Sequence, residues 1–227
     1  MYQLIIFDFD DTLVDNSSID YMGFKIPCKI LNIQYPSKSE LNVFRKKGLV
    51  AKEIIQIYSN IDNQTLTKFL TLRKKFLLKE SINYLKIKPN TKLLLRRLEK
   101  ANLKLIICSA NNNKKLIDNF LKQNKLRTFF EQIYVINNLK IKLENNNHSN
   151  RILIKTSLIR LAIKQHQIST KNILYIGNSL EDQISAIESN IKFIYFINKY
   201  LPNPRISGLK KISNMKNLQK IILGESR

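Results

Sequence analysis

Short apolar runs alternate along this chain with stretches whose apolar residues recur every three or four positions. Five runs rich in β-branched and aromatic residues, at 2–9, 103–108, 132–136, 172–176 and 192–197, have the length and composition of buried strands. Between the later runs the period changes to that of a helix. Leu93, Leu94, Leu98 and Ala101 share a face entered through Pro89-Asn90-Thr91, and Leu116, Ile117, Phe120 and Leu121 share another. Residues 152–166 and 180–189 supply two more helical stretches. Strands separated by helical crossovers of this length imply an α/β fold with a mainly parallel sheet covered on both faces.

Residues 17–88 break that rhythm. The stretches 39–45, 49–58 and 65–85 have helical periodicity with no comparable strand between them, as expected of a small helical domain inserted after the first strand. Pro27 and Pro36 argue for loop or short turns over 21–36. The Asn-rich stretch 140–150 reads as a polar loop that contains His148, and the tail beyond Lys211 reads as a docking helix. The expected division is a core of residues 1–16 and 89–227 around an insertion of residues 17–88.

Charge and cysteine content narrow the picture only a little. The chain of 227 residues carries a formal charge of +22. Either a polyanionic partner or an anionic substrate would use such a surplus, although the basic residues are scattered over nearly every helix without aromatic interleaving. That scatter favours compositional drift with general steering of anions over a nucleic-acid surface. Cys28 and Cys108 are too few and too far apart for a disulfide scaffold or a zinc site, so reduced thiols in a cytoplasmic protein are expected. No apolar run reaches 18 residues, and no membrane span is expected.

The chemistry lies at the end of the first strand, in Asp8-Phe9-Asp10-Asp11-Thr12. Three carboxylates closing an apolar run are costly unless a cation, a bound ligand or solvent compensates them. Side chains two apart in an extended segment share a face, so Asp8 and Asp10 should point the same way. Later in the chain, Ser109 ends Leu-Ile-Ile-Cys and Lys155 falls near the start of a helix. Gly177-Asn178-Ser179-Leu180-Glu181-Asp182 follows the fourth apolar run. A carboxylate, a hydroxyl, an ammonium and an acidic loop delivered to one sheet edge suit phosphoryl transfer.

Taken together, these motifs resemble the haloacid dehalogenase-like superfamily of aspartate-based phosphohydrolases, over nearly the whole chain. The segment from Asp8 to Thr12 is similar to its first motif. Ser109, Lys155 and the stretch Gly177 to Asp182 fall at its second, third and fourth. The resemblance implies a Rossmann-like core with an inserted helical cap, as in phosphoglycolate phosphatase and β-phosphoglucomutase relatives. It also implies a magnesium-dependent hydrolase of small soluble phosphomonoesters that works through an aspartyl-phosphate. On that reading Asp8, Asp10 and Lys155 are catalytic, and Asp11, Thr12, Ser109 and Lys155 bind substrate. Asp8, Asp10, Asn178 and Asp182 would hold Mg2+. The fourth motif commonly begins Gly-Asp, whereas Asn178 offers an amide oxygen without charge, so weaker magnesium binding is expected. Arg45, Lys46 and Lys47 could meet a second anionic group of the substrate, but the favoured reading is that they simply face solvent.

Three rivals share parts of this pattern. A haloacid dehalogenase would use Asp8 on carbon, but the family's dehalogenases lack the acid at the position of Asp10. A sugar-phosphate mutase would keep the core and replace water by a hydroxyl acceptor. A catalytically weak, basic nucleic-acid-binding protein would account for the charge surplus and for Asn178.

Overall fold

A computed structural model describes residues 2–79, 81–139, 148–197 and 209–224. The chain divides into two compact units. Among the described residues, one is built from the chain up to Val14, from Ile87 to Ile197 and from residue 209 on; the other spans Asp15–Lys86.

The first unit is an α/β sandwich of the expected class. Its strands are β1 (Leu4–Phe7), β4 (Lys104–Ser109), β5 (Gln132–Val135), β6 (Ile173–Gly177), β7 (Lys192–Phe196) and β8 (Lys211–Ile212). They form one sheet in the order β5-β4-β1-β6-β7-β8, with every described pairing parallel. β1 is central, with Leu4 opposite Lys104 on one side and Ile173 on the other. All four of its side chains are buried, which is why it reads as an unbroken apolar run. The helices are α5 (Thr91–Lys100), α6 (Lys114–Gln123), α7 (His148–His166), α8 (Leu180–Glu188) and α9 (Met215–Leu223). Ile154, Leu158 and Ala162 of α7 cover the face formed by Leu4, Ile6, Ile106, Cys108 and Tyr175. Phe7 and Phe9 instead meet Phe130 and Phe120 edge to face, at 6.3 and 5.9 Å between ring centroids.

This strand order has a consequence for function. The connection from β1 runs to β4, while β6 lies on the opposite side of β1, so the winding reverses between β1 and β6. A crevice opens at the carboxyl ends of the strands at such a reversal. Asp8 and Asn178 are the first residues beyond those two strand ends.

The second unit holds α1 (Ser17–Leu31), α2 (Lys38–Lys46), α3 (Ala51–Ser59) and α4 (Asn63–Lys79). Phe24, Cys28, Leu41, Ile54, Ile55, Leu66 and Phe69 form its core. A ribbon of β2 (Val14–Asp15) and β3 (Lys86–Ile87) marks where the chain leaves and re-enters the α/β unit.

Several local expectations require correction. Pro27 lies inside α1, where loop or short turns were expected. The proline costs a helical hydrogen bond, but Ile19, Phe24, Pro27 and Cys28 form a buried face whose packing outweighs it. The helix expected over 65–85 stops at Lys79 and is followed by a 3-10 turn at Ser81–Tyr84. His148 opens α7 rather than lying in a loop. The expected loop over 140–147 falls outside the described residues, as do Pro202, Pro204 and Gly208. β8 adds a strand that its two residues were too short to signal, and the tail forms α9 as expected.

The asparagine-rich composition also has a structural use. Eight described residues other than glycine have positive φ, and five of them are Asn32, Asn60, Asn90, Asn102 and Asn190. With only five glycines in the chain, asparagine takes the left-handed positions at helix ends and turns, because its short amide tolerates them best after glycine.

Candidate active site

β1 delivers Asp8 to the crevice, and the backbone N–H of Asp8 donates to Ile176 O at 2.9 Å, locking the two strand ends together. The chain then turns tightly. Leu13 N–H donates back to Phe9 O at 3.1 Å, and Asp11 sits at φ 59°, a conformation aspartate accepts more readily than most residues. The turn folds Thr12 back under the strand end, where its hydroxyl lies 3.4 Å from Asp8 Oδ2. Asp8 and Thr12 are both buried.

α7 brings Lys155 across the sheet to the same point. Its ammonium donates to Asp8 Oδ1 at 3.1 Å and also to Asp182 Oδ1. The side chain is 3 % exposed, against 4 % for Asp8 and 0 % for Asp182. One buried cation thus serves two buried carboxylates.

Asp182 lies in the first turn of α8, just after the loop that leaves β6. Its Oδ2 accepts from the backbone N–H of Asn178 and of Ser179, at 3.1 and 3.0 Å, and from Ser179 Oγ at 2.6 Å. Ser179 Oγ accepts in turn from Asp182 N–H at 3.2 Å, which closes a capping box at the start of α8. Tyr175 OH, from within β6, donates to Asp182 Oδ1 alongside Lys155. The carboxylate folds back over Gly177, where a Cβ would come within 2.5 Å of Asp182 Cβ and Cγ. Only glycine fits there.

These partners separate the two acids. Burial raises the Asp182 carboxyl, but Lys155 and the hydroxyl donors more than offset it and hold the group below the ordinary carboxylate range. Burial also raises Asp8, and there the pull of Lys155 is outweighed, with Asp182 and Asp10 adding to the rise. For Lys155, burial favours loss of the proton, but the charges of Asp182 and Asp8 keep it above its usual value.

The other expected site residues lie around this core. Asp10 is partly exposed, and Asn111 Nδ2 approaches its Oδ2 at 3.5 Å. Ser109 is buried at the end of β4, where its Oγ accepts from Asn111 N–H at 3.2 Å. Asn178 is buried next to Thr12. Tyr175 and Asn111 were not singled out from the sequence. Tyr175 reads as an ordinary strand aromatic, and Asn111 is one asparagine in a run of three.

Magnesium takes hard oxygen donors, and Asp8 Oδ2, Asp10 O and an inward-turned Asn178 Oδ1 are of that kind. The set fits in chemistry but carries a single carboxylate. Asp182 has both oxygens engaged by five protein donors. Among the described residues, no three His, Cys, Asp or Glu side chains gather as a metal cluster. Among the described residues, too, no helix is long and apolar enough to cross a membrane.

Known proteins place the chain in a family. No curated protein matches it. Solved structures share its fold at low identity, and at that identity the likeness shows the fold alone. A predicted phosphatase from Clostridium acetobutylicum is 21% identical, with a TM-score of 0.71 and 99% of each chain covered. A predicted phosphoglycolate phosphatase from Haemophilus somnus is 16% identical, with a TM-score of 0.74 and 97% and 98% covered. A hydrolase of the same superfamily from Geobacter sulfurreducens is 13% identical, with a TM-score of 0.74 and 99% and 97% covered. The family model of haloacid dehalogenase-like hydrolases matches residues 5–196, and with most of its length so matched the chain belongs to that family.

Proposed function

We propose that this hydrolase cleaves small soluble phosphomonoesters by transferring the phosphoryl group to Asp8. The observation that carries the reading is the unequal treatment of two neighbouring carboxylates. Asp182 is saturated with five donors. Asp8, at the carboxyl end of β1, shares one lysine with it and otherwise has only longer contacts, to Thr12 at 3.4 Å and within reach of Asn178. A nucleophile needs that combination: a carboxylate held in place but not satisfied.

In the proposed reaction one Asp8 oxygen attacks phosphorus in line with the leaving oxygen, forming an acyl phosphate and breaking the ester bond. Asp10, two residues on and closer to solvent, gives a proton to the departing alcohol. It then takes one from the water that hydrolyses the acyl phosphate. Lys155 offsets the repulsion between Asp8 and the phosphoryl oxygens. Ser109 Oγ and the backbone N–H groups that follow Asp8 donate to those oxygens, with Thr12 and Asp11 shaping the turn that aims them. Magnesium, when bound by Asp8, Asp10 O and Asn178, supplies additional positive charge to the phosphoryl group.

The test is phosphate release by the purified chain from a panel of phosphomonoesters with graded magnesium. Phosphoglycolate heads the panel because one relative of the same fold is described as its predicted phosphatase. Release that disappears in Asp8→Asn supports the reading. A phosphoryl group that reappears esterified on a second alcohol would instead identify a transferase of the mutase kind.

A further inference from the structure

Two oxygens, Asp8 Oδ2 and Asp10 O, lie within hydrogen-bond reach of the head group of Asn178. An amide oxygen placed against two such acceptors meets repulsion, whereas an amide nitrogen or a cation in the same place is attracted to both. The amide of Asn178 can meet them in either of two orientations. With its oxygen inward, it accepts from Thr12 Oγ1 at 3.2 Å and presents a third acceptor to the other two. With its nitrogen inward, its two N–H hydrogens are shared among Asp10 O at 3.0 Å, Thr12 Oγ1 at 3.2 Å and Asp8 Oδ2 at 3.3 Å. Hydrogen-bond satisfaction selects the second orientation when nothing else lies between the groups.

We infer that Asn178 is a built-in stand-in for the cation: its amide nitrogen ties Asp8 to the Asp10 turn without metal, and a divalent ion enters only when the amide turns over. Turning gives up the amide's contacts to Asp8 and Asp10, keeps the one to Thr12, and offers one neutral oxygen ligand. Asp182, in the first turn of α8, does not make up the missing charge, because its own five donors occupy both oxygens. Two properties follow. The loop that carries Asp8 and Asp10 is assembled in the absence of metal, and magnesium is held weakly. A carboxylate at position 178 would reverse both, placing a third anion against two acceptors and making the assembled loop depend on a cation.

This inference deepens the reading of Asp8 and Asp10 as the site, but its test measures metal binding and stability rather than turnover. The experiment compares wild type, Asn178→Asp and Asn178→Ala by calorimetric titration with MgCl2 and by thermal melting in EDTA and in MgCl2. Wild type is expected to melt at the same temperature in both media and to bind magnesium only at millimolar levels. Asn178→Asp should melt lower than wild type in EDTA, recover in magnesium and bind the ion at least about tenfold more tightly, because ligand charge sets affinity in such sites. Asn178→Ala should melt lower in both media, without recovery. A further readout needs no variant: the side-chain 15N-amide resonances of Asn178 should be protected in EDTA and shift only at high magnesium. Micromolar magnesium binding by wild type, or magnesium binding by Asn178→Asp no tighter than wild type, would overturn the inference. Either result would leave the hydrolase assignment to be judged by phosphate release.

Discussion

Two charge clusters in this protein are built to opposite recipes. In the α/β unit, Asp8 and Asp182 share the single ammonium of Lys155, all of them buried. In the helical unit, Arg45 and Arg73 share the single carboxylate of Asp20, with both guanidiniums 2.7 Å from Oδ1. That second cluster ties together the first turn of α1, the last turn of α2 and the middle of α4. It is also partly wet, with side-chain exposures of 12% for Arg73, 20% for Arg45 and 25% for Asp20. Arg45 donates further to Leu49 O at 2.8 Å, and Arg73 lies over the Phe24 ring with its guanidinium carbon 4.8 Å from the centroid. From the sequence Arg45 is expected to face solvent or to meet a second anionic group of the substrate. Here it is a structural clamp, while Lys46 and Lys47 beside it are exposed.

The difference shows how a charge surplus can be neutral for function in one place and productive in another. Surplus positive charge near solvent is relieved by water, by ring faces and by carbonyls. Surplus negative charge in a dry crevice has no such outlet, so one of the two acids remains poorly compensated. That acid is Asp8, and a reactive carboxylate is the chemical use of an unbalanced cluster.

The largest effect separating the clusters is expected at Lys155. Lys155→Met removes the cation that bridges two buried carboxylates. It should cost about 3–5 kcal/mol in urea unfolding and abolish phosphate release. Adding Asp8→Asn should restore part of that stability but none of the activity, a non-additivity read by a double-mutant cycle. Asp20→Asn should cost less, about 2 kcal/mol, because water can solvate the two guanidiniums it leaves behind.

The cost of Asp20→Asn should also depend on pH. Burial raises the Asp20 carboxyl, but hydrogen bonds and charge from Arg45 and Arg73 bring it below its ordinary value. A lowered folded-state value contributes stability that is present above the unfolded value of ~3.9 and lost as pH falls through the folded one. The difference between wild type and Asp20→Asn should therefore be constant near neutrality and shrink below about pH 4, as measured by urea unfolding across pH. A difference that persisted unchanged at pH 2 would remove the charge pairing as its cause.

The smallest effect is expected at Tyr175. Tyr175→Phe removes one buried hydroxyl donor from Asp182, at a cost of about 1–2 kcal/mol. If Tyr175 positions Asp182 and thereby Lys155, kcat should fall while KM stays near wild type. A purely structural hydroxyl would change the melting temperature alone.

The legible and illegible parts of this molecule divide along physical lines. β1 and the acids that end it stand out because an apolar run closing on carboxylates violates ordinary burial, and violations mark sites. The Gly177 to Asp182 loop was legible through its spacing, yet its division of labour was not. Nothing in the sequence says that Asp182 would spend both oxygens on its own loop and on Lys155. Tyr175 was hidden because period-two alternation reports which face a side chain takes, not what its hydroxyl meets. Pro27 misled because local propensity is a weak prior against a buried helix face. Asn111 and the left-handed asparagines were lost in a composition that uses asparagine everywhere.

The central claim is that Asp8 becomes covalently phosphorylated. Its most direct test is an acid quench during turnover of an active ester, followed by mass mapping of the phosphoryl group. A phosphoryl adduct on Asp8 in wild type, absent from Asp8→Asn along with phosphate release, is the predicted result. Phosphate release that survives in Asp8→Asn, or an adduct that maps to another residue, would contradict the account.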